Sequence, residues 1–308
     1  MFELTEKQIM KQPHLFTGSG ASQMRIQRLV VATLALLGVA ACAKDTAGHA
    51  TGALTPPLAY VRYFNAVGDT LALDFHPIDQ IEFSQPFLAV PFRGVGLGNY
   101  QGYQAGSRKI RVFPNSTDLA TTSAFLVDTT LTLTAGTYYT VLHTGFARAG
   151  QAPKQGLRVI EDAIGTQPTT GTVSIRVIHA GPTAGAIDLY FTATATDPLP
   201  ATPTFANVTY GMVQTYSTRT PGAFVIRGYA AGTTTTALFT NSPPIAPATT
   251  ISGNTYVGGA DAAGTVFTAM IYGAATTGSS AAVTAGSGVN TTPKIVFWID
   301  RGPPGIAP

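Results

Sequence analysis

The chain has 308 residues, of which only 11% are charged, with 33 Gly, 21 Pro and a single Cys. That length suffices for two ordinary domains, each burying its own core. The formal charge of +3 comes in part from the first 41 residues, which hold four basic groups (Lys7, Lys11, Arg25, Arg28) and two acidic ones (Glu3, Glu6); the rest holds 14 basic against 13 acidic groups. No Lys/Arg cluster there would neutralise a row of phosphates, so nucleic acid is not expected as a partner. Gly and Pro are scattered without period, which excludes collagen and favours frequent turns. Thr and Val, stiff at χ1 and suited to a pleated surface, dominate many segments, and no window after residue 42 sustains 3.6-residue apolar spacing. The composition points to an all-β protein.

From Met24 the sequence reads MRIQRLVVATLALLGVAAC. Arg25 and Arg28 form a positive n-region, and Leu29 to Ala41 form an apolar run of 13 residues. Such a run is too short for a hydrocarbon core of roughly 30 Å but suits a signal peptide. It ends in Val39-Ala40-Ala41-Cys42, which resembles the lipobox of bacterial lipoproteins, in which the Cys thiol receives a diacylglycerol. Cys42, the only cysteine, can make no intramolecular disulfide and stands where a lipoprotein needs its thiol. The expectation is a signal peptide over 1–41, with Met24 as an alternative start because Glu3 and Glu6 sit poorly in an n-region. A lipid-anchored, Gly/Ala/Thr/Pro-rich linker follows over 42–57.

The mature chain carries one pattern twice. Ala59 to Phe75 (AYVRYFNAVGDTLALDF) and Val173 to Tyr190 (VSIRVIHAGPTAGAIDLY) each place an Arg, then Asn or His three residues on, then an Asp 12 residues after the Arg: Arg62, Asn65, Asp74 and Arg176, His179, Asp188. Ile110-Arg-Val-Phe113 corresponds to Ile226-Arg-Gly-Tyr229, Leu131 to Tyr139 to the segment Thr249 to Tyr256, and Leu157 to Asp162 to Ile295 to Asp300. Order is kept while the offset grows, as insertions in loops require, notably a Gly/Ala/Ser/Thr-rich stretch from Ala260 to Thr292. In the first copy, strands are expected at Tyr60–Asn65, Thr70–Phe75, Phe87–Pro91, Gly98–Gln101, Ser107–Phe113, Ser123–Thr132, Thr137–Thr144 and Leu157–Asp162. Each would keep one face wet, as Arg108-Lys-Ile-Arg-Val-Phe does. Two tandem antiparallel β-sandwiches of immunoglobulin or transthyretin type follow, over 58–165 and 166–308.

The motifs R-x-x-[HN]-A, the Asp closing the hairpin, the Tyr-Tyr-Thr strand and the L-R-V-I-E-D closing strand resemble the bacterial domain-of-unknown-function family numbered 4397. The second copy, Arg176-Val-Ile-His179-Ala-Gly-Pro182 through Asp188-Leu-Tyr190, is the nearer match. The first departs by Asn65 in place of His, by lacking the Pro and by His76 after Asp74-Phe75. The resemblance implies an exported, often tandem and lipid-anchored β-sandwich; it brings no established activity.

Candidate chemistry is sparse. Arg176, His179 and Asp188, with Arg62 and Asp74 as counterparts, read either as a small-ligand site at the first hairpin or as structural pairs. Residues three apart on a strand face opposite ways, and the exchange of His179 for Asn65 rules out an imidazole chemistry common to both copies. The other histidines (His14, His49, His76, His143) form no zinc or metalloprotease pattern, so no metal or cofactor is expected. Gly94-Val-Gly96-Leu-Gly98 is followed by a β pattern and reads as a loop, not a nucleotide fingerprint. The acids Asp74, Asp79 and Glu82 are too isolated for glycoside hydrolysis or calcium. Tyr60, Tyr63, Tyr100, Tyr103, Tyr210, Tyr216 and Tyr229 read as a sugar-stacking face or as sandwich core, with core favoured, and Trp298 as core. The reading is a non-catalytic envelope lipoprotein, at the outer membrane or cell surface rather than the inner membrane, that binds carbohydrate, matrix or envelope proteins. The alternatives are a hydrolase with its site near His179 and Asp188, or an accessory subunit of a membrane-associated assembly.

Overall fold

A computed structural model of the chain describes residues 56–80, 87–96, 100–246, 258–284 and 288–303. Cys42 and the expected signal peptide lie outside the described residues, as do His14, His49, Glu82 and Thr249 to Tyr256. Pro56–Pro308 groups as one compact unit, and its regular structure is almost wholly β.

In the first half, β1 (Leu58–Val67), β2 (Leu73–Pro77), β3 (Gly94–Val95), β4 (Gln101–Gln104), β5 (Gly106–Pro114), β6 (Val127–Leu133), β7 (Tyr138–Gly145) and β8 (Gly156–Glu161) form two sheets. The outer one has the order β2-β5-β6; the inner one has β1 flanked by β3 and β4 on one side and by β7 and then β8 on the other. One helical turn, α1 (Leu119–Thr122), is capped by Asp118, which accepts from the Thr121 amide. The expected strand at Phe87–Pro91 is instead a loop whose Phe87 and Val90 backbones bond to Phe75 and Leu73.

The second half repeats the plan. An inner sheet β12-β9-β15-β18 joins β9 (Val173–His179), β12 (Ser217–Arg219), β15 (Val266–Tyr272) and β18 (Lys294–Arg301). An outer sheet β11-β10-β13-β14 joins β10 (Ile187–Thr192), β11 (Phe205–Val208), β13 (Val225–Ala230) and β14 (Ala237–Asn241). A hairpin of β16 (Val283–Thr284) and β17 (Gly288–Val289) is added late in the chain.

Two further findings differ from the sequence reading. First, pairing is antiparallel except at the centre of each inner sheet, where β1 runs parallel to β7 and β9 parallel to β15. Between them the chain visits the outer sheet, the long crossover that parallel neighbours require. Second, Ala260 to Thr292 is not merely an insertion, because it contains β15, whose seven residues are all buried. The partner of Thr140 on β7 is thus Thr268 on β15, each lying opposite the Arg of its own half. The likeness of Gly253-Asn-Thr-Tyr256 to Gly136-Thr-Tyr-Tyr139 draws the correspondence to an earlier segment of the sequence.

Three apolar cores lie between four sheets. Val61 and Tyr63 of β1 pack with Phe75, Ile110, Val112 and Val141 between the sheets of the first half. Ile175 and Val177 of β9 pack with Leu189, Ile226, Phe267 and Ala269 in the second. The other faces of the inner sheets meet in a middle core that includes Phe64, Leu142, Ile160, Ile178, Met270 and Tyr272. A strand buried on both faces loses its alternation and reads as a continuous apolar run, as parallel sheets do. That is why β1, β9 and β15 show no wet face while β5 does.

Candidate functional site

Alternation along β1 sends Val61 and Tyr63 into the first core, so Arg62 points into the middle layer; Arg176 does the same from β9. Arg62 is 0% and Arg176 2% exposed. An interior guanidinium without partners would be costly, and both are answered reciprocally across the two halves. Arg62 donates through Nε to Thr140 Oγ1 of its own half at 2.8 Å and through Nη1 to Asp300 Oδ1 of the other at 2.7 Å. Arg176 donates through Nε to Thr268 Oγ1 at 2.9 Å and through Nη2 to Asp162 Oδ1 of the first half. Each threonine hydroxyl passes its proton on: Thr140 to Asp162 Oδ2 and Thr268 to Asp300 Oδ2, both at 2.6 Å. Tyr100 and Tyr216 complete the set, donating to Asp162 Oδ2 at 2.7 Å and Asp300 Oδ2 at 2.5 Å. Their rings lie against the guanidinium carbons of Arg62 and Arg176, at 4.6 and 4.8 Å.

The electrostatics follow from the geometry. Burial would depress the Arg62 guanidinium, but Asp300, Tyr100 and Asp162 outweigh it and hold the group above its ordinary value. Arg176 is likewise held up against burial by Asp162, Tyr216 and Asp300. The phenols of Tyr100 and Tyr216 are pushed up chiefly by burial; the nearby arginine opposes and the carboxylates add. The arginines therefore stay cationic and the tyrosines stay donors. All four oxygens of Asp162 and Asp300 accept at least one hydrogen bond, so neither carboxylate is left as a base or nucleophile.

The expected first hairpin is a corner between sheets, since β1 and β2, like β9 and β10, lie in different sheets and do not pair; its remaining residues are separate from this cluster. His179 faces away from Arg176: its Nδ1 accepts from the Gly181 amide at 3.3 Å and its Nε2 donates to Gly185 O at 2.8 Å. Asn65 makes the same two kinds of bond in the first half, accepting from the Val67 amide at 3.0 Å and donating to Val90 O at 2.9 Å. An amide and a neutral imidazole are interchangeable there because each offers one acceptor and one donor. Asp188 accepts from the Asn207 and Gly232 amides at 2.7 and 2.8 Å, and Asp74 from the Ala89 amide at 2.6 Å and from Asn115 Nδ2. Thus of the five candidate residues, the structure brings Arg62 and Arg176 together and uses His179, Asp188 and Asp74 to tie loops.

Asp162, Asp300, Thr140 and Thr268 were marked by sequence only as strand residues, not as partners of the arginines. The signal was present: Arg, Tyr, Thr and Asp recur in one order at 62, 100, 140, 162 and at 176, 216, 268, 300. Of the other tyrosines, Tyr63, Tyr103 and Tyr229 are buried, Tyr60 stacks on Tyr138 at 4.7 Å, and Tyr210 meets the His179 ring edge-on. Trp298 packs against Phe64 in the middle core. Gly94 and Val95 form β3, with Gly98 outside the described residues. Arg301 donates to the carbonyls of Ile164, Gln167, Pro168 and Gly264, pinning the segment that joins the halves. Beside Arg176 and Tyr216 a cleft of about 380 Å³ opens between the end of β8 and residues 213–216. Among the described residues no group of three or more His, Cys, Asp or Glu is placed to hold a metal, and no helix is long and apolar enough to cross a membrane.

Residues 59–190 match the family model described as Domain of unknown function (DUF4397). The match runs from the start of β1 through β8 and β9 into β10. Among curated proteins none matches the chain. One solved structure, described as "Alpha-glucan binding by a streptococcal virulence factor", is 13% identical over 55% of this chain and 79% of its own, with a TM-score of 0.19. A likeness that slight bears on neither fold nor ligand.

Proposed function

We propose that the protein is a lipid-anchored, non-catalytic module of the bacterial cell envelope, built from two copies of one domain, that binds a carbohydrate, matrix or envelope-protein partner. The observation that carries the reading is the reciprocal clamp. The side chains with the most chemical potential are spent on one another inside the molecule, joining the halves into a rigid display body. The second copy is supported by the strand-for-strand correspondence of the inner sheets and by the exchange of Arg62–Asp300 for Arg176–Asp162. The anchor is supported by the apolar run ending at Cys42. A hydrolase centred on His179 and Asp188 is the weaker reading, since both ring nitrogens and both carboxylate oxygens are engaged with backbone.

The test is mild detergent extraction of native membranes, capture of the protein and mass spectrometry of everything retained. Acylated Cys42 together with retained glycan or a non-stoichiometric protein supports the reading. A fixed-ratio partner moves it to a subunit of an assembly. A Cys42→Ser chain that still fractionates with membranes removes the anchor.

A further inference from the structure

The cleft beside the clamp is where the two arginines stop being equivalent. Arg62 has all three guanidinium nitrogens engaged, through Nε to Thr140, Nη1 to Asp300 and Nη2 to Thr268. Arg176 engages Nε and Nη2 only; its Nη1 has no hydrogen-bond partner among the described residues, and the side chain lines the cleft. A charged side chain only 2% exposed, whose one uncommitted donor reaches the opening, is a binding feature that an acceptor in the cleft would complete.

The rest of the lining says what kind of ligand supplies it. Gln167 uses both Nε2 hydrogens, on Ala163 O at 3.0 Å and Thr166 Oγ1 at 3.3 Å, which leaves its amide oxygen to accept; Gln214 gives one Nε2 hydrogen to Met212 Sδ at 2.9 Å and can both accept and donate. Glu161, exposed at the rim, adds a carboxylate. The site therefore offers one strong donor, one weaker amide donor and several acceptors, the carboxylate of Glu161 among them. A carboxylate or phosphate has nothing to donate to those acceptors and meets the Glu161 charge; the clamp behind is neutral, two arginines against two aspartates. Hydroxyl groups donate and accept at once. Val213, Ala163 and the Tyr216 ring give the cleft an apolar wall suited to the C–H face of a ring carrying hydroxyls. The volume suits a ligand of one or two sugar rings.

We infer that this cleft is a saccharide subsite in which Arg176 Nη1 donates to a ring hydroxyl and Gln167, Gln214 and Glu161 accept from others. The inference rests on the binding reading above and specifies its ligand and place.

The experiment is saturation-transfer NMR and calorimetry on the full chain in mild detergent, with maltotriose, cellotriose and chitotriose as probes and citrate as the anionic control. Two variants accompany it: Gln214→Ala, which removes an acceptor, and Thr215→Trp, which fills the cleft. At least one trisaccharide is expected to bind and citrate not to, with both variants weakening binding at least tenfold at unchanged melting temperature. Preference for citrate overturns the inference. So does trisaccharide binding indifferent to both variants, an outcome that leaves the binding reading standing and moves its site elsewhere. Binding of no trisaccharide overturns the inference as well; retention of the same protein on isolated cell walls then keeps the binding reading alive, and its absence removes both.

Discussion

At the scale of single residues, the exchange of His179 for Asn65 is a natural mutagenesis experiment inside one molecule. Both side chains cap the backbone two residues on and reach a loop carbonyl. His179→Asn is therefore expected to cost less than about 1.5 kcal/mol, whereas His179→Ala, which leaves a buried amide and carbonyl unmet, is expected to cost about 2–4 kcal/mol. Urea midpoints of the two variants check the order. His143, fully buried in the first half, makes a different prediction. It donates through Nε2 to Gln155 Oε1 at 2.8 Å and, as a neutral ring, accepts through Nδ1 from the Tyr63 hydroxyl at 2.9 Å. Burial pushes its pKa down to about 4, against 6.5 for a free imidazole, with the Gln155 bond opposing. The folded state thus keeps His143 neutral where the unfolded state takes a proton. Stability is full above pH 6.5 and is lost as the pH falls through the window down to about 4, by on the order of 3 kcal/mol at most. Chemical denaturation at pH 7 and pH 4 reads this loss, and His143→Gln is expected to flatten that part of the profile; an unchanged slope in the variant would mean that other groups carry it.

At the scale of elements, the outer sheets show how one half compensates for a change in the other. Val112 faces Val127 between β5 and β6, while at the corresponding place Gly228 on β13 faces Phe239 on β14. A Cβ on Gly228 would come within 2.3 Å of the Phe239 ring. The aromatic ring fills the volume the missing side chain leaves, so the pair is a unit of one small and one large residue. Gly228→Val alone is expected to destabilise by about 2–4 kcal/mol, and Gly228→Val with Phe239→Val to recover at least half of that, read as midpoints in a double-mutant cycle. This pair also marks what was legible in the sequence. The correspondence of Ile110–Phe113 with Ile226–Tyr229 was readable because Ile-Arg recurs in both with an aromatic two residues on, and because β5 keeps a wet face and a period of two. The place of β15 was not, because VFTAMIY is buried on both sides and carries no alternation to align.

At the scale of the molecule, the two halves share the middle core and the clamp, and are expected to melt as one. A single calorimetric transition with matching van't Hoff and calorimetric enthalpies checks this; two transitions would show that the halves are independent. Arg62→Met leaves Asp300 without its buried counter-charge and is expected to lower stability by about 3–5 kcal/mol while keeping the transition single. The sequence pointed to Arg62 and Arg176 as recurring residues, but spacing along the chain contains no sign that each arginine is answered by the aspartate of the other half. Contacts of that kind are made by packing two folded sheets.

That exchange has a consequence in time. Arg62 is flanked by two carboxylates: Asp162 of its own half at 3.7 Å, and the closer Asp300 on β18, synthesised 238 residues after it. At roughly 5–20 residues per second, the interval is on the order of tens of seconds. During it, β1 lacks at first its parallel neighbour β7 and throughout the closer of its two carboxylates, so the segment that emerges first has little reason to close early. For a polypeptide that we propose leaves the cytoplasm as a thread, a lock whose final piece is made last keeps the thread open until export is under way.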